Sequence, residues 1–529
     1  MKTSFLRCIS ALAILATIAV PHAGVAQTKM PITPSQIDTT VDRAMKAFKV
    51  PGVALAIIQD GHVVYTKGYG VREFGKPGAV DTSTLFQIGS TTKAFTAAAL
   101  SILVDEGKIH WDDKVIQYIP EFQMYDPYVT SQFTIRDLLA HRSGLGEGAG
   151  DLMFYPSSNM TRAELIHGLR YLKPVSSFRS EYDYDNVMYM VAGEIIPRVT
   201  GQSWEDFVTD RIFKPLHMDG CSTSLARISD HKDVSSPHVI LSGKVTPRAP
   251  EDITTIDAAG GIVCNADGMS KWLQTQLGEG TAPDGTKLFS ADRSDEMWTE
   301  NTIEPLDPTI AALTHSHFKG YALGWEVSDD FGLKTVFHTG DVPGSLTWVT
   351  IIPELKLAVV VLTNQNDVMP SEAIGHQILD AYVSAPKRDM VAMLTAYSQA
   401  QAADAQTVVS AAEIKAAQGV QPTLALADYS GVYTDPWRGT ASVKLVDKSL
   451  ILKFSRTNGL EGSLVPYNGN IFIVHWNDRS LNADAYVRFT QGFDGKIEGM
   501  TMQPVSPTTD TSFDFHDLNF QKTADGATQ

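Results

Sequence analysis

The chain has 529 residues, with a hydrophobic content of 43% and a charged content of 19%. These are the proportions of a globular protein that is long enough for two or more domains. Its net charge of −17 disfavours binding to nucleic acid, and its three cysteines exclude a scaffold held together by many disulfides.

The first 26 residues have the pattern of a secretory signal. Lys2 and Arg7 precede an apolar run over residues 8–20, and small residues over 24–26 offer a cleavage site. A membrane anchor is disfavoured because the run is short for spanning a bilayer. We therefore expect a periplasmic or secreted protein with no stable membrane span, whose mature chain begins at residue 27.

The mature chain keeps two cysteines, Cys221 and Cys264. In an oxidising compartment they could pair, or they could remain as two buried thiols. The chain has no Cys-x-x-Cys and no His-Glu-x-x-His motif, and the histidine pair His315 and His317 has no third ligand nearby in the sequence. We expect no metal ion and no organic cofactor.

The N-terminal third mixes helix and sheet. Residues 35–48 have helical periodicity, and two β-rich runs flank Asp60-Gly61, a dipeptide typical of a hairpin turn. The next stretch, 85–107, begins with an apolar run, turns at Gly89 and becomes helical from Thr92 until Gly107. We expect helix, hairpin and a second helix in that order.

Ser90 and Lys93 lie at the start of this second helix, one turn apart and on the same face. A serine alcohol needs a base within hydrogen-bond reach, and a lysine with a depressed pKa can be that base. Backbone N–H groups at a helix start can also stabilise an oxyanion. Taken alone, Ser90 could equally be a helix cap beside a solvated lysine, so the interpretation depends on partners elsewhere.

The first such partner is Tyr184-Asp185-Asn186, at a loop-to-helix junction in a helical region that extends to about residue 216. A phenol beside an ammonium has a lowered pKa and can act as a phenolate, and Asn186 can donate to Lys93 or to a substrate carbonyl. The alternative is that Tyr184 fills an interface and that Asn186 caps the following helix.

The second partner is His338-Thr339-Gly340, on one of several strands between residues 321 and 362. Gly340 would let a substrate backbone approach closely, and the N–H of Asp341 would serve as an oxyanion donor. The alternative is an edge strand with a partly solvated histidine. Strands in the N-terminal third and between residues 321 and 362, with helices between these two regions, predict an antiparallel sheet packed by helices, plus an all-helical part.

After a helix at 371–383, residues 386–421 are rich in alanine and weakly helical, without strong apolar periodicity, which indicates a linker helix. Short alternating runs that predict strands follow, with Asn-Gly and Asp-Gly turns, at 431–433, 441–445, 449–454, 470–476, 486–490 and 497–502. We therefore divide the chain into a signal (1–26), an α/β plus all-α domain (27–385), a linker (386–421) and a small all-β barrel or sandwich (422–529).

In the order Ser-x-x-Lys, Tyr-x-Asn and His-x-Gly, these motifs resemble the penicillin-recognising serine hydrolases. That family includes class C β-lactamases, D-Ala-D-Ala carboxypeptidases, D-aminopeptidases and related esterases. Further segments that match the family lie at 138–145, 212–218, 259–261, 321–325 and 359–364. The resemblance covers residues 37 to 383, and the last domain is similar to a lipocalin-like appendage of some members, which shapes the cleft or mediates assembly into a homo-oligomer.

The resemblance implies a role for each candidate residue. Ser90 would be acylated, Lys93 and Tyr184 would move its proton, and Asn186 would orient the substrate. The N–H groups of Ser90 and Asp341 would form the oxyanion hole, and His338 and Thr339 would line the strand side.

The resemblance also bears on the substrate. True β-lactamases of this family carry lysine at the position of His338, so we favour small peptides over β-lactams, with esters as the alternative. Relatives of similar size and motif spacing cleave short linear peptides such as linearised microcystin. A non-catalytic, penicillin-binding sensor is the remaining alternative, disfavoured because every chemical position is filled.

Overall fold

The computed structural model describes residues 30–251, 253–383, 385–457 and 459–523. The signal proposed for residues 1–26 lies outside them. The helices are α1 (Pro34–Phe48), α2 (Thr92–Asp105), α3 (Val115–Tyr118), α4 (Pro127–Gln132), α5 (Ile135–Leu139), α6 (Arg162–Gly168), α7 (Asn186–Thr200), α8 (Trp204–Val208), α9 (Asp257–Gly260), α10 (Ala266–Leu277), α11 (Ala291–Met297), α12 (Pro308–Thr314), α13 (Met369–Tyr382) and α14 (Met390–Ala417).

The strands form one large sheet, one barrel and two short two-stranded sheets. They are β1 (Gly52–Gln59), β2 (His62–Gly70), β3 (Phe86–Gln87), β4 (His238–Leu241), β5 (Lys244–Pro247), β6 (Val263–Cys264), β7 (Thr302–Ile303), β8 (Lys319–Tyr321), β9 (Glu326–Asp330), β10 (Leu333–Val342), β11 (Ser345–Ile352), β12 (Leu357–Thr363), β13 (Gly431–Asp435), β14 (Gly439–Val446), β15 (Ser449–Phe454), β16 (Glu461–Asn468), β17 (Ile471–Trp476), β18 (Ala485–Gln491), β19 (Ile497–Pro504) and β20 (Phe520–Lys522).

The large sheet has the strand order β2-β1-β12-β11-β10-β9-β8-β7, and neighbouring strands in it pair antiparallel. The predicted hairpin β1–β2 turns at Asp60 and Gly61, both with positive φ as such tight turns require. Strands β1 and β12 come from opposite ends of this region and pair in register from Val53↔Thr363 to Gln59↔Leu357. This pairing joins the two ends of the α/β plus all-α domain.

Helices cover both faces of the sheet, and β1 shows this because it has apolar side chains on both of its faces. Val53, Leu55 and Ile57 face a cluster that includes residues of α1 and α13. Ala54, Ala56 and Ile58 face the opposite way, into a cluster shared with α2 and α10. A strand with two apolar faces is a central strand, and this burial fixes the sheet between two helical layers.

The last domain is a closed barrel of strands β13 to β20, in which neighbouring strands pair antiparallel. The predicted fold class is therefore confirmed, and of the two alternatives for the last domain the barrel is correct. Two barrel strands, β16 and β20, were not predicted. The region predicted to be a weakly helical linker contains the regular 28-residue helix α14.

The barrel is packed against the helical part of the first domain. One hydrophobic cluster contains core residues of both, among them Tyr189 of α7 and Trp476 of β17. Phe513 makes an edge-to-face contact with Tyr155, with ring centroids 5.1 Å apart, and Arg456 forms an ion pair with Glu164 over 3.0 Å. The two domains therefore share a core.

Cys221 and Cys264 form a disulfide, which decides between the two alternatives left open by the sequence. Cys264 lies on β6, whose partner β3 leads directly into the Ser90 turn. Within the described ranges, no helix combines the length and apolar character needed to cross a bilayer.

Candidate active site

Ser90 lies in a single 3₁₀ turn, Gly89–Thr91, immediately before α2. Gly89 has a φ of +51°, and a Cβ at this position would lie 2.7 Å from the amide nitrogen of Asp341. Only glycine tolerates both conditions, so the tight turn that exposes Ser90 depends on Gly89. The Ser90 side chain is half-buried and faces a cleft.

Lys93 is fully buried and contacts three acceptors. Its Nζ lies 2.8 Å from Ser90 Oγ, 2.7 Å from Asn186 Oδ1 and 3.1 Å from the carbonyl oxygen of Ala259. Burial lowers the pKa of Lys93 to about 7, against the opposing attraction of the Asp151 carboxylate. The amine is therefore partly unprotonated at neutral pH.

Tyr184 reaches the same two residues from the helical part. The centroid of its ring lies 4.7 Å from Lys93 Nζ, and its side chain interacts with that of Ser90. Burial raises the pKa of Tyr184 well above its usual value. This direction is opposite to the sequence-based expectation of a phenolate, because desolvation of the phenol, together with the charges of Glu326 and Asp151, outweighs the interaction with Ser90.

The segment at 138–145 supports Tyr184 through His141. The two rings lie 4.2 Å apart at their centroids, and the backbone N–H of Asp185 donates to His141 Nδ1 over 3.0 Å. Ser143 donates a further hydrogen bond to Asp185 over 2.5 Å. The function of this segment is therefore to hold the loop that carries Tyr184 and Asn186.

Asn186 uses both ends of its side-chain amide. The oxygen accepts from Lys93, and the nitrogen donates to Asp151 Oδ2 over 2.7 Å. Asn186 lies in the first turn of α7, as its first residue. The sequence-based suggestion that Asn186 donates to Lys93 is wrong, since a lysine amine donates to the oxygen.

Strand β10 passes close to the Ser90 turn at Gly340. A Cβ on Gly340 would lie 1.8 Å from the carbonyl oxygen of Ile88, so glycine is needed here for the strand to approach the turn, rather than only for a substrate to approach the strand. The same close approach places the N–H of Asp341 next to Gly89. The structure thus brings the two predicted oxyanion donors, Ser90 and Asp341, to one place.

His338 is buried and neutral. Its Nδ1 lies 2.5 Å from the carbonyl oxygen of Thr339, which can only accept, so Nδ1 carries the proton and Nε2 accepts from Tyr321 over 2.9 Å. Burial lowers the pKa of His338 to about 4, so it has no positive charge at neutral pH. Thr339 is partly exposed and lines the cleft beside it.

The cleft has a volume of about 860 Å³ and a strongly acidic wall. Among the described residues that line it, Lys319 is the single lysine or arginine, and its amine pairs with both Glu304 and Glu326. The wall carries the following carboxylates: Glu147, Glu304, Asp307, Glu326, Asp330, Asp341, Glu372 and Asp510. Desolvation, together with the charges of neighbouring carboxylates, raises the pKa of Asp341 to about 8 and that of Glu372 to about 7.

The barrel contributes to this cleft, which the sequence did not predict. The segment 508–512 lines it, and Ser512 donates to Asp151 Oδ2 over 2.9 Å. Asp151 was also missed, because an isolated aspartate after a glycine-rich loop has no recognisable pattern. The carbonyl of Ala259 could have been found, since it lies in a segment that matches the family.

One group of side chains could hold a cation by distance alone. Glu413 of α14, His475 of β17 and Asp484 have ligand atoms within 4.8 Å of one another. Arg479 donates to both oxygens of Asp484, over 2.5 and 2.8 Å, and His475 Nδ1 lies 2.7 Å from the same carboxylate. The positive charge needed by Asp484 is already present, so the group is an ion-pair network that joins α14 to the barrel.

An activated serine beside a buried lysine, in a cleft between a sheet domain and a helical part, defines a serine hydrolase. Residues 37–383 match the family model described as Beta-lactamase, so the chain belongs to that family. Residues 415–522 match a second model, described as a domain of unknown function (DUF3471). The predicted family and its enzymatic character are confirmed.

Similar proteins include two fungal hydrolases. The chain is 31% identical over 338 residues to unguisins hydrolase ungD' of Aspergillus campestris, covering 61% of this chain and 60% of that protein. It is 28% identical to unguisins hydrolase ungD of Aspergillus violaceofuscus, covering 74% and 73%. The chain thus spans less than two thirds of the first of these relatives.

One bacterial protein and one archaeal protein are also similar. Protein flp of Staphylococcus aureus is 26% identical over 341 residues, covering 64% of this chain and 65% of that protein. The octameric penicillin-binding protein homologue from Pyrococcus abyssi has a TM-score of 0.60 and 21% identity, covering 93% of this chain and all of that structure. At 21% identity, the similarity to this structure shows a shared fold and no more.

Proposed function

We propose that the protein cleaves small linear peptides through an acyl-enzyme on Ser90, and that it does so in the periplasm or outside the cell. The observation that carries the proposal is the set of three contacts at Lys93 Nζ. Two partners, the Asn186 side-chain oxygen and the Ala259 carbonyl, can only accept. A neutral amine has two hydrogens for them, and its lone pair then faces Ser90 Oγ at 2.8 Å.

This arrangement gives a balanced reaction. The Ser90 hydroxyl proton moves to Lys93 while Oγ bonds to the substrate carbonyl carbon, and the N–H groups of Ser90 and Asp341 stabilise the oxyanion. The C–N bond then breaks as Tyr184 gives its proton to the leaving amine, and the Lys93 ammonium restores the proton of Tyr184. Water attacks the acyl-enzyme by the same route in reverse and releases the acid.

The charge of the cleft supports peptides over β-lactams. A β-lactam or a peptide with a free carboxylate next to the scissile bond needs a cation, but His338 is neutral and Lys319 is already paired with two glutamates. A neutral or cationic group fits the acidic wall better than a carboxylate, which would bring a further negative charge into it. Short linear peptides, including linearised microcystin, are therefore suitable test substrates.

Active-site labelling tests the acyl-enzyme. The mature chain is incubated with a fluorophosphonate or a fluorescent penicillin, and the labelled peptide is identified by mass spectrometry. We expect the label on Ser90 and none on Ser90→Ala. Turnover that persists in Ser90→Ala would overturn the proposal.

A substrate panel tests the peptide class. Each peptide is made with a free and an acetylated N-terminus, and with a free and an amidated C-terminus, beside a series of p-nitrophenyl esters. We expect the highest kcat/KM for peptides without a carboxylate near the scissile bond. A panel in which esters alone are turned over would make the protein a carboxylesterase on the same scaffold.

The barrel is also our candidate for self-association. The similar archaeal structure is described as octameric. Val432 of β13, and Leu445 and Val446 of β14, expose between 41 and 52% of their surface. Light scattering on the wild type and on Val446→Lys would show whether the chain forms a homo-oligomer through this surface; a wild-type monomer would exclude it.

A further inference from the structure

The barrel reaches the reacting amine through a chain of three hydrogen bonds. Ser512 donates to Asp151 Oδ2 over 2.9 Å, and the same oxygen accepts from Asn186 Nδ2 over 2.7 Å. At its other end, Asn186 accepts from Lys93 over 2.7 Å. Ser512 belongs to the barrel, whereas the other three residues belong to the catalytic domain.

The direction of the Asn186 amide decides what Lys93 can do. With the oxygen towards Lys93, the amine must donate there, and its lone pair remains for Ser90. If the amide turned over, its NH₂ would face Lys93 and would compete for the lone pair. An ionised carboxylate only accepts, so Asp151 fixes the amide in the orientation that leaves the lone pair to Ser90.

Asp151 itself depends on the barrel. It is fully buried, and its second oxygen has no hydrogen-bond partner among the described residues. Besides Asn186, the hydroxyl of Ser512 is the side-chain donor that the described structure places on this carboxylate. Next to it, the backbone N–H of Gly150 donates to Asp514, also of the barrel.

We propose that Ser512 and Asp151 are positioning residues for Lys93, so that the barrel completes the active site. The inference rests on the proposed serine chemistry and deepens it. It predicts that the catalytic domain is fully active only with the barrel docked. It further predicts that the effect of Ser512 is transmitted through Asp151 alone.

The ionisable groups around this chain of bonds set the expected pH effect. Burial, and to a smaller extent Asp510, raise the pKa of Asp151 to about 7, against the hydrogen bonds from Asn186 and Ser512 and the charge of Lys93. Asp185 and Asp514 also face Asp151, and Tyr184, Tyr189 and His141 surround Lys93. Removing the negative charge of Asp151 lowers the pKa of Lys93, so the acid limb of the acylation rate should move to lower pH.

The test measures the rate constant of fluorophosphonate acylation of Ser90 against pH in the full mature chain. The matched variants are Ser512→Thr and Ser512→Val, which have nearly the same shape and differ in the hydroxyl. We expect Ser512→Thr to react within about twofold of the wild type, and Ser512→Val to be slower by roughly tenfold, the usual effect of losing a hydrogen bond to a charged group. Ser480→Ala, whose hydroxyl hydrogen-bonds Asp478 in its own turn of the barrel, is the control.

A double-mutant cycle separates positioning from simple docking. Asp151→Asn should slow acylation and move its acid limb to lower pH, and adding Ser512→Val should cause little further loss. Additive effects, equal rates for Ser512→Thr and Ser512→Val, or an unmoved acid limb in Asp151→Asn would overturn the inference. Failure to label the wild type would instead contradict the proposed function, so the two outcomes are distinct.

Discussion

Tyr321 donates a hydrogen bond to Nε2 of His338 over 2.9 Å, and burial keeps this histidine of β10 neutral. The Tyr321 hydroxyl fixes the tautomer of a ring that lies where a family member that binds carboxylates would need a cation. The acidic wall of the cleft also disfavours a ligand that carries a carboxylate. Both features come from residues that are distant in sequence and close in the sheet.

Replacing His338 by lysine should therefore change the preferred substrate. We expect His338→Lys to raise kcat/KM for peptides with a free carboxylate near the scissile bond, relative to their amides, by about tenfold, which corresponds to about 1.4 kcal/mol. The ratio for matched acid and amide peptides is the measurement. His315→Lys, at an exposed position in the turn after α12, is the control for added charge, and an unchanged ratio in His338→Lys would contradict the electrostatic explanation.

The helical period predicted the Ser90–Lys93 pair, and the family resemblance predicted its partners at Tyr184-Asp185-Asn186 and on β10, but the contact with the barrel could not be predicted. Ser90 and Lys93 are one helical turn apart, so the 3.6-residue period alone places them together. Asp151 and Ser512 are separated by more than 300 residues and meet because the barrel packs on the helical part. No periodic pattern records such a contact.

The same limit explains the error at Tyr184. The motif indicates a phenol near an amine, but the direction of its pKa depends on burial, which the sequence does not give. The missed elements have related causes. The short strands β7 and β20 are set by their sheet neighbours, and β16 contains Pro466, which weakens a strand pattern.

The pKa of Lys93 gives the enzyme a pH dependence. Because the neutral amine accepts the Ser90 proton, kcat/KM should rise with pH through about 7, and the limb belongs jointly to Lys93 and Asp151, which titrate in the same range. Lys93→Arg stays protonated at every accessible pH, so we expect its activity to fall by at least about 100-fold. A flat wild-type profile between pH 6 and 8, as an assay pH range, would contradict this assignment.

The same pKa shift affects stability. The unfolded state binds a proton at Lys93 below the ordinary pKa of 10.5, whereas the folded state does so only below about 7. Between these values the free energy of unfolding contributed by Lys93 falls by about 1.4 kcal/mol for each unit that the pH is lowered. The loss is complete below pH 7, and it is regained as the pH rises.

Lys93→Met removes this contribution. The variant should therefore gain stability relative to the wild type as the pH falls from 10 to 7, and the difference should then level off. Denaturant unfolding of both proteins at several pH values measures it. Thr96→Val, also buried on α2 and not ionisable, should show no such trend. A Lys93→Met difference that is constant with pH would mean that Lys93 is not desolvated in the folded state.

The disulfide between Cys221 and Cys264 should stabilise the site as well as the fold. It closes a loop with a sequence separation of 43, for which chain entropy predicts roughly 4 kcal/mol. Because Cys264 lies on β6, which pairs with the strand leading to Ser90, we expect Cys221→Ala/Cys264→Ala to lower both the melting temperature and the acylation rate of Ser90. Reduction of the wild type should have the same effect and should leave the double variant unchanged. If the reductant shifts the melting temperature of both proteins equally, its effect does not come from this bond.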